Sequence, residues 1–371
     1  MTKIIDRQLL KLWIIPTVAS FIICVFLFII GDLFGLTDDF LEYTPSIISV
    51  LTYYFYRMSH ISYFLAAMAL LLGGFWGLSG WRETNQWTAA LASGRHPVSL
   101  LRTPLFCLLI LTVFLTYYTI NYLPGISDSA TFMRDVKMKG GEMEKPSYSD
   151  LHFRLPEGGT IKIGDFNPGE GKMKEVSIDF QENGRVTERW EAGRGRYETG
   201  VGWKLFEPEI RKFTPGGEHV TKTQDKIYFA FEPPGMLARV INHDPRRIDK
   251  KPEQFTLRGL EQAINFRQRR GMNIDAERVY WHWKFSFPLS NLVLGIIGIL
   301  LGIKKGISRP AGVGYCLIIG FAYWAIYNSS LAFGQSGSLR FLVGDFSPLL
   351  FTYGPLFLYS GIIYYLWEKI T

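Results

Sequence analysis

The chain has 371 residues, 48% hydrophobic and 15% aromatic, with a net charge of +7 and a mean hydropathy of only +0.10. That mean is too low for a protein made of membrane spans alone, so a mixture of spans and water-exposed structure is expected. The positive balance does not call for nucleic acid, and none is expected as a partner, because lysine and arginine cluster beside the apolar runs as the positive-inside rule describes.

From the amino end, Lys3, Arg7 and Lys11 precede an apolar run at 12–30. It is too long for the core of an ordinary signal peptide and no small-residue cleavage site follows, so it reads as an uncleaved first span. The acidic stretch after it, with Asp32, Asp38, Asp39 and Glu42, contains no basic residue and is placed outside. A second span is expected over 61–80. Arg57 at mid-bilayer would be costly unless paired, which favours the outer interface beside Tyr53, Tyr54 and Tyr56 and a span that begins after it. Gly73, Gly74, Gly77 and Gly80 include a GxxxG pair suited to close approach by a neighbouring helix.

A polar segment then interrupts the apolar pattern. Arg82, Glu83, Asn85 and Gln86 lead into Trp87, Ala89, Ala90, Leu91 and Ala92, a short amphipathic helix within 82–94 that Gly94 ends and Pro97 cannot continue. Too short to span and flanked by basic residues, it reads as a cytoplasmic loop on the membrane surface, either a docking element or an interfacial turn. The third span, 98–123, ends at Pro124-Gly125, which leaves the middle of the chain outside.

That middle, 124–255, reads as β structure. Stretches at 151–155, 160–166, 175–180, 185–192, 202–207, 209–213 and 226–231 alternate or are rich in β-formers, and glycine- and proline-bearing turns separate them. The rhythm argues a sandwich or jelly roll. From 256 the pattern is helical: Leu257, Leu260, Ile264 and Phe266 share a face, Gly271 ends it and Asp275 caps the next helix. Spans four to six are expected at 283–303, 311–333 and 348–367, with Lys304, Lys305 and Arg309 at an inner end and Glu368 and Lys369 inside. The plan is a membrane protein of six transmembrane helices, 3+3, with an inserted extracytoplasmic all-β jelly-roll-like domain, divided at 1–123, 124–255 and 256–371.

Catalytic chemistry is not indicated. Cys24, Cys107 and Cys316 each lie in an apolar run, and His152, His219 and His243 are scattered singly, so no metal site and no cofactor are expected. Gly169-Glu170-Gly171-Lys172 lacks the spacing and the hydroxyl residue of a phosphate-binding loop, so any ATP hydrolysis must come from another chain.

Three patches resemble the LptF/LptG (YjgP/YjgQ) permease family: RQLLKLWIIPTVASFIICVFLFIIGDLFGLTDDF; ETNQWTAALASGRHPVSLLRTPL, similar to a Glu-x-x-Ala-x-x-Ala-x-Gly-x-Ser pattern; and LEQAINFRQRRGMNIDAERVYWHWKFSFPLSNLVLGIIGILLGI, similar to a Gly-x-Asp…Lys…Pro-Leu pattern entering the fourth span. The second patch departs from the family's small, alanine-rich helix at Trp87, Thr88 and Ser93-Gly94-Arg95-His96-Pro97. The resemblance implies a permease subunit of an ABC-type exporter in the bacterial inner membrane, both termini cytoplasmic. It would extract lipopolysaccharide with a dimeric cytoplasmic ATPase, a sister permease or a second copy of itself, a single-span accessory protein with a periplasmic β domain, and a periplasmic bridge protein. It further implies an ATPase-coupling site at Arg82, Glu83, Gln86, Trp87 and Arg95. A substrate cavity would be lined by Phe21, Phe28, Arg57, Phe321, Trp324 and Tyr327, with Arg57, Arg134 and Arg340 as candidate cations for lipid phosphates. Two other readings stay open: a permease for another lipid or lipoprotein, and a membrane-anchored sensor.

Overall fold

The computed structural model describes residues 2–138, 148–155, 159–182, 185–214, 217–222, 227–229, 231–243, 252–337 and 343–369. The chain forms two units, a helical one of Met1–Gly141, Lys250–Leu257 and Arg278–Thr371 and a sheet one of Glu142–Asp249 and Arg258–Glu277.

The first half contributes α1 (Thr2–Gly35), α2 (Thr37–Tyr43), α3 (Ile47–Glu83), α4 (Gln86–Ala92), α5 (Pro97–Asn121) and α6 (Leu123–Phe132), followed by a wider helical segment, Met133–Met138. Further on come α7 (Pro234–Asn242), α8 (Leu257–Gln268), α9 (Asp275–Ile303), α10 (Arg309–Ser336) and α11 (Ser347–Glu368). Six segments are long and apolar enough to cross a membrane among the described residues, namely α1, α3, α5, α9, α10 and α11.

Local chemistry sets the breaks. The Ser46 hydroxyl accepts from the Ser49 amide at 3.2 Å and starts α3. Asn85 takes a left-handed conformation, φ 55, that separates α3 from α4, and Gly94 does the same at φ 80 after α4. His96 Nδ1 accepts from the Val98 amide at 3.3 Å, with Pro97 at the first helical position of α5.

α3 begins at Ile47 and runs through Arg57 and His60 into the stretch expected to span from residue 61. Arg57 is matched inside the helical unit: its guanidinium meets the Asp32 carboxylate at 3.1 Å and lies over the Phe28 ring at 5.4 Å, and the Tyr53 hydroxyl donates to the same carboxylate at 3.2 Å. With its charge answered by α1, the arginine no longer has to leave the helix.

α3 is the central member of this unit. A Cβ on Gly77 would fall on the Leu12 carbonyl of α1, and one on Gly73 on the Thr17 backbone. A Cβ on Gly74 would lie 3.2 Å from the Ile299 nitrogen of α9, and one on Gly298 would strike the Leu71 backbone in return. Backbone therefore meets backbone on two sides of α3, the geometry small residues permit where lipid removes the usual hydrophobic drive.

The sheet unit is antiparallel: β1 (Tyr148–Arg154), β2 (Gly159–Asn167), β3 (Lys172–Glu182), β4 (Arg185–Glu198), β5 (Gly202–Phe206), β6 (Glu209–Thr214), β7 (Gly217–Lys222) and β8 (Ile227–Phe229). The order is β1-β2-β3-β4-β5-β8, with β6 pairing β4 and β7. β4 therefore serves two partners: 194–198 pair with β5, and 188–191 with β6. Alternation builds the core, with Ile161 and Ile163 buried around exposed Lys162. Phe166, Trp203 and Leu205 join them, and Leu237, Val240 and Ile241 of α7 with Phe266 of α8 belong to the same cluster. Gly271, expected to end a helix, takes φ 61 shortly after α8.

The backbone contact at Gly77 generates a stability prediction. Gly77→Val forces α1 away from α3 and lowers the thermal midpoint of detergent-solubilised protein, by about 1–3 kcal/mol as overpacking usually costs. Gly31→Ala, where the added carbon meets nothing within 4 Å, leaves the midpoint undiminished.

Candidate coupling and cargo sites

The polar corner between α3 and α4 is built mainly from bonds internal to the helical unit. Trp87 is 2% exposed and meets Trp81 edge-on at 5.5 Å, so the indole fastens α4 to the end of α3. Arg82 donates to the carbonyl oxygens of Lys304 and, at 2.5 Å, of Ile307. Those carbonyls follow the C-terminus of α9, where helical acceptors lack partners of their own and a cation is favourable. Glu83 meets Arg309 at 3.1 Å and Arg82 at 3.8 Å. Gln86 is exposed and accepts from the Gln8 amide at 3.0 Å, while Arg102 pairs with Asp6 at 3.1 Å.

Of the five residues expected to couple, three are bonded into this corner. Arg82, Glu83 and Trp87 hold the α3 end, α4 and the α9–α10 turn to one another, and Arg95 is half-buried in the α4–α5 turn. The outward surface of α4 is made by Gln86, Thr88, Ala89 and Ala92. The arrangement has no nucleophile or acid–base pair. It is a braced corner in which α4, the end of α3 and the start of α10 are bonded to one another.

The residues expected to line a cavity fall into three settings. Phe21 and Phe28 are half-buried on α1, with Arg57 over the Phe28 ring. Phe321 and Trp324 stand exposed on α10, at 64% and 60%. Tyr327 is buried at 2%; its hydroxyl lies 2.7 Å from the Ser286 hydroxyl, and its ring stacks on Tyr323. α1 presents a long apolar surface that includes Ile15, Ile22, Phe26 and Leu27. Among the candidate cations, Arg57 is paired with Asp32, Arg134 lies 3.6 Å from Asp39, and Arg340 is outside the described residues.

A third group escaped the sequence reading. His60 Nε2 of α3 lies 3.1 Å from Glu253 Oε1, and Lys284 Nζ of α9 donates to the Glu253 carbonyl at 3.1 Å. All three residues are buried. The available signal was Lys284 itself, a lysine within a span, which demands a partner.

Gly169-Glu170-Gly171-Lys172 is the β2–β3 turn, with Gly171 at φ 61 and Lys172 tied to Glu170 at 2.7 Å.

The family described as lipopolysaccharide export system permease LptF/LptG matches residues 7–369, nearly the whole chain. No curated protein matches it significantly.

Limited trypsin digestion checks the brace. Arg82→Ala removes charge-assisted bonds worth about 1.5–3 kcal/mol, so cleavage after Lys304 and Lys305 rises by roughly ten-fold or more. Glu83→Ala, whose carboxylate is 41% exposed, changes it little.

Proposed function

The chain belongs to the LptF/LptG family, the membrane component of lipopolysaccharide export, and on that premise we propose that it works as one permease half of an exporter driven by a separate, dimeric cytoplasmic ATPase. The match over 7–369, with six apolar helices and an antiparallel sheet inserted in sequence between the third and fourth, is the observation that carries this reading.

Sidedness follows from charge. Arg7, Lys11, Arg82, Arg95, Arg102, Lys304, Lys305, Arg309 and Lys369 mark one set of helix ends and turns, while Asp32, Asp38, Asp39 and Glu42 mark the other end of α1. The basic set belongs in the cytoplasm with both termini, which leaves the sheet unit in the periplasm. α4 then seats in a groove of the ATPase. Arg82, Glu83, Gln86, Trp87 and Arg95 form the coupling site in two roles: Gln86 and the exposed part of Glu83 meet the ATPase, and Arg82 and Trp87 keep the corner stiff.

Energetics explain why an engine is required. Withdrawing an acyl chain of about twelve methylenes from the bilayer costs roughly 10 kcal/mol at ~0.8 kcal/mol per CH₂. Nucleotide-driven closure, pressing on α3 and α5 through α4, supplies that work. The apolar surfaces of α1, α3 and α10, with Phe21, Phe28, Phe321 and Trp324, keep the chains out of water until the sheet unit accepts them. Arg57 is the cation for a lipid phosphate once Asp32 releases it, and Tyr327 supports the α10 wall from behind. A sister permease or second copy closes the cavity, and a single-span accessory protein with a β domain and a periplasmic bridge protein take the lipid onward by strand addition.

Reconstitution with the ATPase, sister permease and acceptor proteins tests the whole: ATP-dependent appearance of lipopolysaccharide on the acceptor is expected, and transfer of a different lipid instead would refute the cargo. An impermeant label added outside spheroplasts is expected to reach Lys212→Cys and not Ala89→Cys. Joint substitution Glu83→Ala and Gln86→Ala removes two contacts of about 1 kcal/mol each, so ATPase affinity falls by roughly thirty-fold while the permease stays monodisperse.

A further inference from the structure

Around His60, in the first half of α3, three ionisable side chains meet inside the helical unit. His60 is 4% exposed, Glu253 3% and Lys284 0%. The Glu253 carboxylate receives His60, and its backbone carbonyl receives Lys284. The carboxylates of Glu253 and Asp128, the latter on α6, are the opposing charges that Lys284 faces. The same short segment is held at two more points: Gln254 donates to the Thr131 hydroxyl of α6 at 3.3 Å, and Phe255 packs against Tyr280 of α9 at 5.2 Å.

Pro252–Gln254, a single helical turn, lies where the chain coming back from the strands re-enters the helical unit before α8. An ammonium group shut inside a span without its partners costs several kcal/mol, so α3 and α9 cannot shift against this turn without breaking those bonds or carrying the turn with them. Near its C-terminus α3 is bound through Arg82 to the carbonyls that follow α9. Between His60 and Arg82, Gly74 and Gly298 bring the backbones of α3 and α9 together. From His60 to Arg82 the helix rises about 33 Å at 1.5 Å per residue. One stiff helix thus connects the braced α4 corner to the turn from which the polypeptide continues into the sheet unit.

We propose that His60, Glu253 and Lys284 are positioning residues of the transport cycle: they lock the Pro252–Gln254 turn to α3 and α9, so that a stroke delivered at α4 is passed to the lipid-receiving sheet unit in the same movement. This rests on the permease reading above. The residues touch no cargo. They fix the ratio of lipid delivered to ATP consumed, and the contact stays closed throughout the cycle.

The test uses the full chain with its sister permease and ATPase in proteoliposomes, and records lipopolysaccharide transfer to a soluble acceptor together with ATP hydrolysis. For His60→Ala and Lys284→Met, hydrolysis stays near wild type while lipid transferred per ATP falls by about ten-fold, within the range by which coupling residues act. Glu253→Gln, which keeps an oxygen for His60 and the carbonyl for Lys284, recovers most of the ratio. An unchanged ratio, or a fall of hydrolysis and transfer in equal proportion, overturns the proposal.

A second measurement does not depend on those variants folding. With the three native cysteines replaced, spin labels on Ser59→Cys and Gln254→Cys are expected to keep one distance distribution in nucleotide-free and ATP-bound states, and a shift on ATP binding refutes a contact that stays closed. If the wild-type assembly transfers no lipopolysaccharide, the permease reading fails, whereas the label distances still judge the joint.

Discussion

Backbone against backbone at α3 is the contact on which the helical unit depends. In a membrane, lipid tails are as apolar as leucine, so burying more leucine does little to assemble helices, and close approach with polar bonds must do it instead. Gly73 and Gly77 admit α1, and Gly74 with Gly298 admits α9. α3 is consequently flanked by the first and fourth spans, one from each half of the chain, and the two halves are joined through it although the whole sheet insert separates them in sequence.

The same economy governs charge. Arg57 sits on α3 because Asp32 on α1 answers it, Arg82 because two carbonyls after α9 accept from it, and Lys284 because the Glu253 carbonyl accepts from it. Each of these groups ties α3 or α9 to something else, so the ionisable residues serve as the fasteners of the unit while α1 keeps an exposed apolar surface. A permease needs that division: the braces must hold under load while the lipid-facing surface stays free to slide against acyl chains.

The spans were legible because a long apolar run has few alternatives, and α4 was legible because its polar residues, Gly94 and Pro97 interrupt two such runs. The strands showed through alternation wherever one face is buried. What stayed hidden depended on partners remote in sequence. The helical turns of α3 before residue 61 were not read because Arg57 is answered by a carboxylate 25 residues earlier. β7 was missed because all six of its residues are exposed, leaving no apolar period to read. α7 is nine residues long and opens with Pro234 inside a loop-like stretch, so its buried Leu237, Val240 and Ile241 gave too short a pattern. The burial of Trp87 against Trp81 could not be read from a short polar segment, and Tyr327 shows that an aromatic residue on a membrane helix does not declare which way it faces. Glu253 was one carboxylate among many charges in a linker; only the fold puts His60 and Lys284 beside it.

The division of β4 between two neighbours has a consequence for solubility. Because 188–191 pair with β6 and 194–198 with β5, the β6–β7 hairpin branches from the main ladder and, among the described residues, β7 ends that branch paired with β6 alone. Open rims invite identical molecules to stack into fibres, and here the rim carries Glu218, His219, Thr221 and Lys222, while the opposite border at β1 carries Asp150, His152 and Arg154. Charged residues along an edge disfavour pairing with an identical copy, so the polar side chains that hide β7 from pattern reading also work against stacking of crowded chains.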